Sequence, residues 1–338
     1  MKILFSSYSF APNIGGLELV SELLCREWAA LGDDVTLITD TPYFGMDSFP
    51  FRVIRRPDWR TLARLFKWCE IFYHNHLSLK YAWPALLGPD KPWVVSLQTY
   101  LSAASDEWKP IPLLKKLVIK RAYRIALNQE MGRRYQADIV LPSPYDERVF
   151  RLLPEVKHDR DIIFVGRLVS DKGAETLIKA LMELRAAGWK PTTSIAGAGP
   201  EENRLKSMVE SQGMNDQITF LGSQKRTALV PLFNRHRLMV IPSLWAEPFG
   251  VVALEGIACG CIPIGSNIGG IPDAIGKCGV LFEPGNSGAL ARAITALLTD
   301  EGLQSMITEE DREKHLGLMN SHSLAIRFKS FLEKVAHA

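Results

Sequence analysis

Short apolar runs rich in β-branched and aromatic residues alternate with helical patterns along most of this sequence, and no other feature limits its fold as strongly. In the first 150 residues the runs predict seven strands, at residues 3–7, 35–39, 51–54, 71–73, 93–97, 125–127 and 139–141. A helical pattern at 17–31 follows the first strand and has Leu19, Leu23 and Leu24 on its apolar side. Such alternation predicts a parallel sheet that is covered by helices on both faces.

The same alternation begins again after Pro142-Ser143-Pro144 and the charged segment 151–161. Strands are predicted at 162–165, 193–196, 218–221, 238–241 and 262–264, and helices at 175–187 and 200–212. The 338 residues suffice for two domains with their own cores. We therefore predict an α/β protein of two doubly wound, Rossmann-like domains that face each other across a cleft. The first spans 1–150 and includes a final helix at about 321–336, and the second spans 151–320.

Composition excludes several classes of protein. A net charge of +3 argues against general nucleic-acid binding, and no apolar stretch has the roughly 20 residues of a membrane-spanning helix. The odd number of cysteines, five, favours reduced thiols in the cytoplasm. Cys259 and Cys261 with nearby Cys278 lack a histidine or a second close pair, so no metal site is predicted.

Two glycine-bearing loops are predicted between a strand and a helix in positions that suit an anion. Asn13-Ile14-Gly15-Gly16 follows the first strand, and there the alternative is a tight turn without a ligand. The segment 166–173 follows the first strand of the second domain and contains Arg167 and Lys172. A guanidinium fork and a compact ammonium both fit diphosphate oxygens, and the alternative is a solvated basic loop.

The segment 242–256 is the most specific of the candidate sites. A strand ends at Ile241, a loop carries Glu247, and a helix is predicted to begin near Gly250, with Glu255 in its first two turns. The free N–H groups of Phe249, Gly250, Val251 and Val252 are suited to phosphate, and Glu255 is suited to accept hydrogen bonds from ribose hydroxyls. The alternative is a structural role for both glutamates.

These motifs are similar to those of the family 4 glycosyltransferases, which have the GT-B fold. Glu247 and Glu255 match the E-x7-E motif of that family, and its E-P-F-G core is intact at 247–250. Further matches run through nearly the whole chain: the glycine loop at Gly15-Gly16, the G-R-L…K-G segment at 166–173, the G-x-G-P turn at 197–200, and the segments 267–273 and 279–285.

The resemblance implies a retaining glycosyltransferase that moves a hexose from a nucleotide-diphosphate sugar, of UDP or GDP type, to a glycan or lipid-linked acceptor. Arg167 and Lys172 would neutralise the diphosphate, Glu247 would lie against the transferred sugar, and Glu255 would bind the ribose. The other implied donor contacts are Gly15, Gly16, Gly197, Leu221, Gly222, Phe249, Gly250, Val251 and Val252. The resemblance implies no metal or other cofactor, and a setting in bacterial surface polysaccharide or glycolipid synthesis.

One position departs from the family pattern. Many relatives have a histidine near the reacting sugar where this chain has Gln98, after the strand at 93–97. Glutamine cannot exchange a proton as histidine does, so Gln98 is predicted to position a substrate. His74 and His76 are further candidates on the acceptor side, with a structural role as the alternative for each.

The acceptor is expected to bind to the first domain, where residues 106–124 combine apolar side chains, including Trp108, with six lysines and arginines. This pattern predicts either a packing helix with a solvated basic face or peripheral contact with the inner face of an anionic membrane. Two other functions remain open: an epimerase or phosphorylase of the same fold, and a non-catalytic nucleotide-sugar binder.

Overall fold

The structure is a computed structural model of the chain, and it describes residues 1–13, 15–101, 109–300, 302–303 and 307–337. Ile14, Asp106 and Trp108 of the predicted segments lie outside these ranges. The chain divides into two compact units. The first unit comprises Met1–Pro144 and Asn320–Ala338, and the second comprises Tyr145–Met319.

The first unit contains a seven-stranded parallel sheet in the order β3-β2-β1-β4-β5-β6-β7. Its strands are β1 Lys2–Ser6, β2 Asp34–Thr39, β3 Arg52–Arg55, β4 Ile71–Asn75, β5 Trp93–Leu97, β6 Tyr123–Ala126 and β7 Ile139–Val140. Its helices are α1 Gly16–Ala30, α2 Trp59–Trp68, α3 Leu79–Leu87, α4 Pro110–Val118, α5 Gln129–Tyr135 and, at the end of the chain, α13 Ser321–Ala336. The seven predicted strands are confirmed, with ends shifted by at most two residues.

The core of the first unit contains side chains from α1, near the beginning of the sequence, and from α13, near its end. Trp28 of α1 is buried against Phe5 and Tyr73, and its Nε1 donates to the carbonyl of Ala325 in α13 at 3.0 Å. Phe328 of α13 is fully buried in the same cluster. The helix at the end of the sequence is therefore an integral layer of the unit that begins with β1.

The second unit contains a six-stranded parallel sheet in the order β10-β9-β8-β11-β12-β13. Its strands are β8 Arg160–Val165, β9 Thr193–Ala196, β10 Ile218–Gly222, β11 His236–Ile241, β12 Ile262–Ser266 and β13 Val280–Phe282. Its helices are α6 Ala174–Ala186, α7 Glu202–Ser211, α8 Arg226–Arg235, α9 Val251–Ala258, α10 Ile271–Ile275, α11 Ser287–Thr299 and α12 Glu309–Met319. The five predicted strands are present, and the sequence pattern missed β13 because three residues are too few to show a period.

The division between the units differs from the predicted one. It lies at Pro144 and Tyr145, six residues before the predicted boundary at 150 and 151. Phe150 is buried against Phe233 of α8, with ring centroids 6.1 Å apart, so the residues before it belong to the second core. The return to the first unit comes at Asn320, one residue earlier than predicted.

The five cysteines are buried and none forms a disulfide. Burial raises the pKa of the Cys259 thiol to about 12 and that of Cys69 to about 11. In the described ranges, no three or more His, Cys, Asp and Glu side chains form a group that could hold a metal ion. Metal independence itself remains a prediction. Within the same ranges no helix combines the length and apolar character that crossing a bilayer requires.

Candidate active site

The loop after β8 carries two of the predicted donor contacts, Arg167 and Lys172. Leu168 is buried, and its N–H donates to the carbonyl of Ala198 at 2.9 Å, which ties this loop to the loop after β9. Arg167 is exposed, and across the described parts of the chain its guanidinium has no hydrogen-bond or ion-pair partner. This fork of donors is therefore accessible to an anion.

The strand order of the second sheet reverses at β8, which has β9 on one side and β11 on the other. In open α/β sheets such a reversal leaves a crevice at the carboxyl ends of the strands. The loops after β8 and β11 meet there, because Leu244 N donates to Asp171 O at 2.8 Å. Gly173 has a φ of +70°, and a Cβ there would lie 1.9 Å from the carbonyl oxygen of Pro242. A glycine is thus required where these loops touch.

Lys172 and Glu247 form an ion pair at this meeting point. Lys172 Nζ lies 2.9 Å from Glu247 Oε1, and Ser243 Oγ donates to the same oxygen. The Glu247 side chain is only 10% exposed, so the ammonium and the hydroxyl compensate for the hydration that its charge loses. The structure brings these two predicted residues together, and it adds Ser243, which the sequence analysis did not single out.

The backbone around Glu247 is held by the loop after β12. Gly270 N donates to Glu247 O at 2.7 Å, and a Cβ on Gly269, whose φ is +60°, would lie 2.5 Å from that oxygen. The two glycines of the segment 267–273 are therefore explained by close packing against the E-P-F-G loop. Both glycines thus hold the backbone of Glu247 in place.

The N-terminus of α9 faces the same loop region. Gly250 precedes the helix with a φ of +93° and has no side chain to cap the first N–H groups of α9. Uncapped N–H groups at a helix N-terminus form a partial positive charge that stabilises an anion. The predicted backbone contacts at Val251 and Val252 lie in this first turn.

Glu255 lies one turn further into α9 and contacts Arg226, which the sequence analysis missed. Arg226 Nη2 lies 3.3 Å from Glu255 Oε1, and its Nη1 lies 4.0 Å from Asp146 Oδ2. Burial raises the pKa of Glu255 to about 7, Arg226 opposes that rise, and the charge of Asp146 reinforces it. Throughout the described ranges no ion pair links Glu255 to Arg167 or Lys172.

A cavity of about 200 Å³ lies beside Arg167, between the loops after β8, β9 and β10. Its lining includes Arg167, Gly197, Ala198, Ser223, Gln224 and Leu229. A Cβ on Gly197 would lie 1.8 Å from the carbonyl oxygen of Gly166, so the G-x-G-P turn needs glycine there. The implied donor contacts Leu221 and Gly222 border this region, since Gln224 Nε2 donates to Leu221 O at 2.6 Å and Gly197 N donates to Gly222 O at 2.8 Å.

In the first unit, Gly15 and Gly16 stand at the start of α1, as predicted, but a carboxylate of the protein already lies there. A Cβ on Gly15 would lie 2.5 Å from Glu18 Oε2, and Ser9 Oγ donates to Glu18 Oε1 at 2.5 Å. Glu18 therefore supplies negative charge at this helix N-terminus. A donor phosphate at Gly15 or Gly16 would be repelled by Glu18.

The acceptor-side candidates lie at the carboxyl ends of β4 and β5. His74 is fully buried, accepts from Trp93 Nε1 at 2.9 Å, and has its pKa lowered to about 3 by burial, with a further lowering from His76. His76 follows β4 with a φ of +70°, and burial lowers its pKa to about 4, assisted by Lys115. Gln98 Nε2 donates to Ser96 Oγ at 2.9 Å. These contacts favour a packing role for the neutral His74.

The model of the family described as glycosyl transferases group 1 matches residues 146–314, half of the chain and nearly all of the second unit. The chain belongs to the group 1 glycosyl transferases. The resemblance to family 4 glycosyltransferases and the prediction that the chain belongs to a family of glycosyltransferases are thereby confirmed.

Two curated relatives of this chain align with it over less than half of their own length. The chain is 36% identical over 142 residues to a glycogen synthase of Mycobacterium tuberculosis, covering 41% of this chain and 34% of that protein. It is 32% identical over 186 residues to a D-inositol 3-phosphate glycosyltransferase of Corynebacterium glutamicum, covering 52% of this chain and 44% of the relative. The chain thus spans about a third to a half of the length of these relatives.

Solved structures match the glycosyltransferase over almost its entire length. A sucrose-phosphate synthase from Thermosynechococcus elongatus superposes with a TM-score of 0.80 at 22% identity and covers 99% of this chain and 98% of its own. HepE of Anabaena, in complex with UDP and glucose, gives a TM-score of 0.78 at 20% identity, with 99% and 100% covered. At this level of identity the matches show the fold, and they confirm the predicted GT-B fold of two parallel-sheet domains.

Proposed function

We propose that this enzyme transfers a hexose from a nucleotide-diphosphate sugar, bound by the second unit, to a glycan or lipid-linked acceptor with retention of the anomeric configuration. In this reaction the bond between the anomeric carbon and the diphosphate breaks, and the leaving diphosphate takes the electron pair. The acceptor oxygen forms the new bond to the same carbon. Negative charge therefore grows on the leaving group while positive charge grows on the sugar.

One observation supports this proposal above the others. The ion pair of Lys172 and Glu247 lies at the carboxyl ends of β8 and β11, in the crevice where strand order reverses, beside the uncapped start of α9. A cation, a carboxylate and free N–H groups at one such place match the charges that the reaction develops.

Each donor contact follows from its chemistry. Arg167 and Lys172, with the first N–H groups of α9, would neutralise the diphosphate without a metal ion. Glu247 would face the transferred sugar, where a carboxylate stabilises positive charge and accepts hydrogen bonds from hydroxyls. Glu255 would bind the ribose, with Arg226 keeping its carboxylate in place. The cavity beside Arg167 would bind the nucleotide base of the donor.

The first unit would bind the acceptor. Gln98 and His76 follow strands at the carboxyl edge of its sheet, where open α/β sheets bind ligands. We assign a positioning role to Gln98. His76 is a weak base because burial lowers its pKa to about 4, so we assign it a hydrogen bond to the acceptor, and an oxygen of the leaving diphosphate would take the acceptor's proton.

The nucleotide of the donor and the cellular role of the enzyme are also part of the proposal. HepE, one of the structural matches, was solved with UDP and glucose, which supports a UDP sugar ahead of a GDP sugar. We propose a cytoplasmic enzyme of surface polysaccharide or glycolipid synthesis.

The experiment that tests the proposal is incubation of the enzyme with radiolabelled UDP-glucose or GDP-mannose and with glycan and lipid-linked acceptors, in the presence of EDTA. We expect transfer of label, with an NMR spectrum that shows the donor's anomeric configuration in the product. An epimerised donor, or cleavage that requires inorganic phosphate, would establish one of the alternative reactions. Transfer that EDTA abolishes would contradict metal independence.

Replacing Arg167 with alanine is expected to weaken binding of the nucleotide sugar about tenfold to hundredfold, because a hydrogen bond to a charged group contributes about 1.5–3 kcal/mol. Isothermal titration calorimetry measures this dissociation constant directly. The matched control is Arg235→Ala, since the Arg235 side chain is 42% exposed but pairs with Asp159 at the opposite, amino edge of the sheet. Equal affinities of the Arg167→Ala and Arg235→Ala variants would refute the proposed contact.

Affinity for UDP-glucose is expected to fall about fivefold to tenfold from about pH 8 to about pH 6, because protonation of a group with pKa near 7 removes most of its charge over that interval. Affinity should fall with falling pH because of Glu255. Its pKa is raised to about 7, so the carboxyl is mostly neutral below that pH. A neutral carboxyl accepts hydrogen bonds from ribose hydroxyls more weakly than a carboxylate does. The diphosphate diester of the donor keeps its charge across this interval.

Calorimetric titrations at several pH values measure this dependence, and the Glu255→Gln variant is the control. The glutamine amide does not titrate, so the affinity of this variant for UDP-glucose should be low at every pH. A wild-type profile as flat as that of the variant would show that Glu255 does not contact the donor.

A further inference from the structure

Four segments of the first unit converge on Asp40, which follows β2. The N–H of Asp40 donates to the carbonyl of Tyr8, after β1, at 3.1 Å, and Arg56 Nε, after β3, donates to the carbonyl of Asp40 at 3.0 Å. The carboxylate of Asp40 accepts from Lys80 Nζ and, at 3.2 Å, from Tyr81 OH, both in the first turn of α3. These five residues, the Asp40 cluster, lie at the carboxyl edge of the first sheet, because its strands are parallel.

The backbone of Arg56 is strained. Its φ is +48°, in the left-handed region that favours glycine, and its N–H donates to the carbonyl of Thr39 at 2.7 Å. A residue other than glycine has an energetic cost in this conformation, and such strain is concentrated at active sites and ligand-binding sites. The hydrogen bonds to Thr39 and Asp40 therefore hold an arginine where the backbone alone would favour glycine.

The guanidinium of Arg56 has donors that are available to a ligand. Arg56 is exposed, and within the ranges that the structure describes only its Nε has a hydrogen-bond acceptor. No described carboxylate forms an ion pair with it. Since Nε is fixed by the carbonyl of Asp40, the two terminal nitrogens of Arg56 present an oriented pair of donors to solvent.

Arg56 also supplies the excess charge of the Asp40 cluster, because Lys80 already pairs with Asp40. The hydrogen bond from Lys80 is the main cause that lowers the pKa of Asp40, so this carboxylate stays charged and paired. Both protein hydrogen bonds to the carboxylate end on Oδ1, and Oδ2 has no partner among the described residues. The Asp40 cluster thus combines free cationic donors with one free carboxylate oxygen.

Two carboxylates that are close to Arg56 in sequence have cations of their own. Asp47 forms an ion pair with Arg55 at 2.7 Å. Asp58 is the N-cap of α2, and the positive charges of Arg60 and Arg64 act on it. Neither carboxylate therefore occupies the terminal nitrogens of Arg56.

We propose that the Asp40 cluster binds the acceptor through a phosphate group, so that the acceptor is a sugar phosphate, either free or attached through its phosphate to a lipid. The terminal nitrogens of Arg56 bind the phosphate, and the half-exposed Lys80 adds positive charge. Oδ2 of Asp40 accepts a hydrogen bond from a sugar hydroxyl, and Tyr8, 52% exposed, offers a ring face to the sugar. That the ligand is an acceptor rests on the proposed function, whereas the binding of phosphate does not.

Isothermal titration calorimetry of the full chain with three sugars that differ at one carbon tests this proposal. UDP is present at saturation, so that the proposed diphosphate site of the second unit is occupied. We expect glucose 6-phosphate to bind, and glucose and glucuronate to bind about tenfold or more weakly, because a phosphate ester has more charge and more acceptor oxygens than a carboxylate. Equal binding of glucuronate would overturn the assignment of phosphate.

A fourth probe, glucose joined through phosphate to farnesol and supplied in detergent micelles, distinguishes the two sources of the phosphate. Tighter binding of this diester than of glucose 6-phosphate would assign a lipid-linked acceptor, and weaker binding a soluble one. Binding of neither phosphate probe would refute the site.

Arg56→Gln should weaken binding of glucose 6-phosphate about tenfold to hundredfold, because it removes charge-assisted hydrogen bonds. Arg56→Lys keeps the charge without the fork and should lose less affinity. The matched control is Arg121→Gln, which should bind as the wild type does. Arg121 is likewise exposed and without a partner in the described part of the chain, but it precedes β6, at the amino edge of the same sheet. Thermal unfolding checks that every variant is folded.

The donor-site variant Arg167→Ala separates failure of this inference from failure of the proposed function. It should weaken binding of UDP-glucose and leave binding of glucose 6-phosphate unchanged, whereas Arg56→Gln should do the reverse. Loss of glucose 6-phosphate binding in Arg167→Ala but not in Arg56→Gln would place the phosphate in the second unit and overturn the inference. Binding that depends on Arg56 would support the site even in an enzyme that transfers no label from UDP-glucose.

Discussion

Glu247→Gln is expected to lower the rate constant for glycosyl transfer about 100-fold or more, because loss of one group that stabilises transition-state charge costs about 10²–10³ in rate. Glutamine has nearly the same shape as glutamate but no negative charge. The carboxylate of Glu247 is 2.9 Å from Lys172 Nζ and receives a hydrogen bond from Ser243, so its position is fixed before the substrate arrives. In the proposed reaction its charge faces the sugar as positive charge develops there.

The measurement is the initial rate of label transfer at saturating donor, with donor affinity measured separately by calorimetry. Affinity should change only a few-fold, because the diphosphate contacts remain. Glu175→Gln is the matched control, since Glu175 at the start of α6 also accepts from a lysine, Lys179 at 2.8 Å, but its side chain is 36% exposed. A Glu247→Gln enzyme with the rate of the Glu175→Gln enzyme would remove Glu247 from the mechanism.

Gly173→Ala is expected to destabilise the enzyme by about 3 kcal/mol or more, because strain at a left-handed residue and overpacking each cost about 1–3 kcal/mol. The new Cβ would lie 1.9 Å from the carbonyl oxygen of Pro242, and this carbonyl is backbone that cannot rotate away. The loops after β8 and β11 would separate, and the contact of Lys172 with Glu247 would be lost with them.

Urea-induced unfolding measures this loss, and Gly188→Ala provides the control. Gly188 has a similar φ, +88°, but a Cβ added there would have no described neighbouring atom within 4 Å. Its alanine variant should therefore lose only about 1 kcal/mol, the cost of the backbone conformation alone. Similar losses at the two glycines would mean that the contact with Pro242 is unimportant.

Much of the fold was accessible from the sequence because buried parallel strands leave a strong local signal. Residues 93–97 and 193–196 were predicted with the bounds that β5 and β9 have in the structure. The strand β13 was missed because it has only three residues. The boundary between the units was misplaced because charged residues surround Phe150, whose burial the sequence pattern did not show.

In the candidate site, too, residues in local motifs were predictable from the sequence, and contacts between distant segments were not. Lys172 and Glu247 were predicted because each lies in a motif with a recognisable spacing. Arg226 and Asp146 were not, since their contacts with Glu255 depend on residues far apart in the chain. His74 was an acceptor-side candidate because the sequence did not reveal that both faces of β4 are buried.

The hydrogen bond between Trp28 and Ala325 spans 297 positions, so the core of the first unit needs residues that are synthesised early and residues that are synthesised late. All residues of the second unit are synthesised before α13, so the core of that unit can form without this helix. The segment 1–144 must wait for the last helix, with its Trp28 side chain uncovered until then. The segment that is synthesised first therefore completes its core only after the helix at the end of that unit has been added.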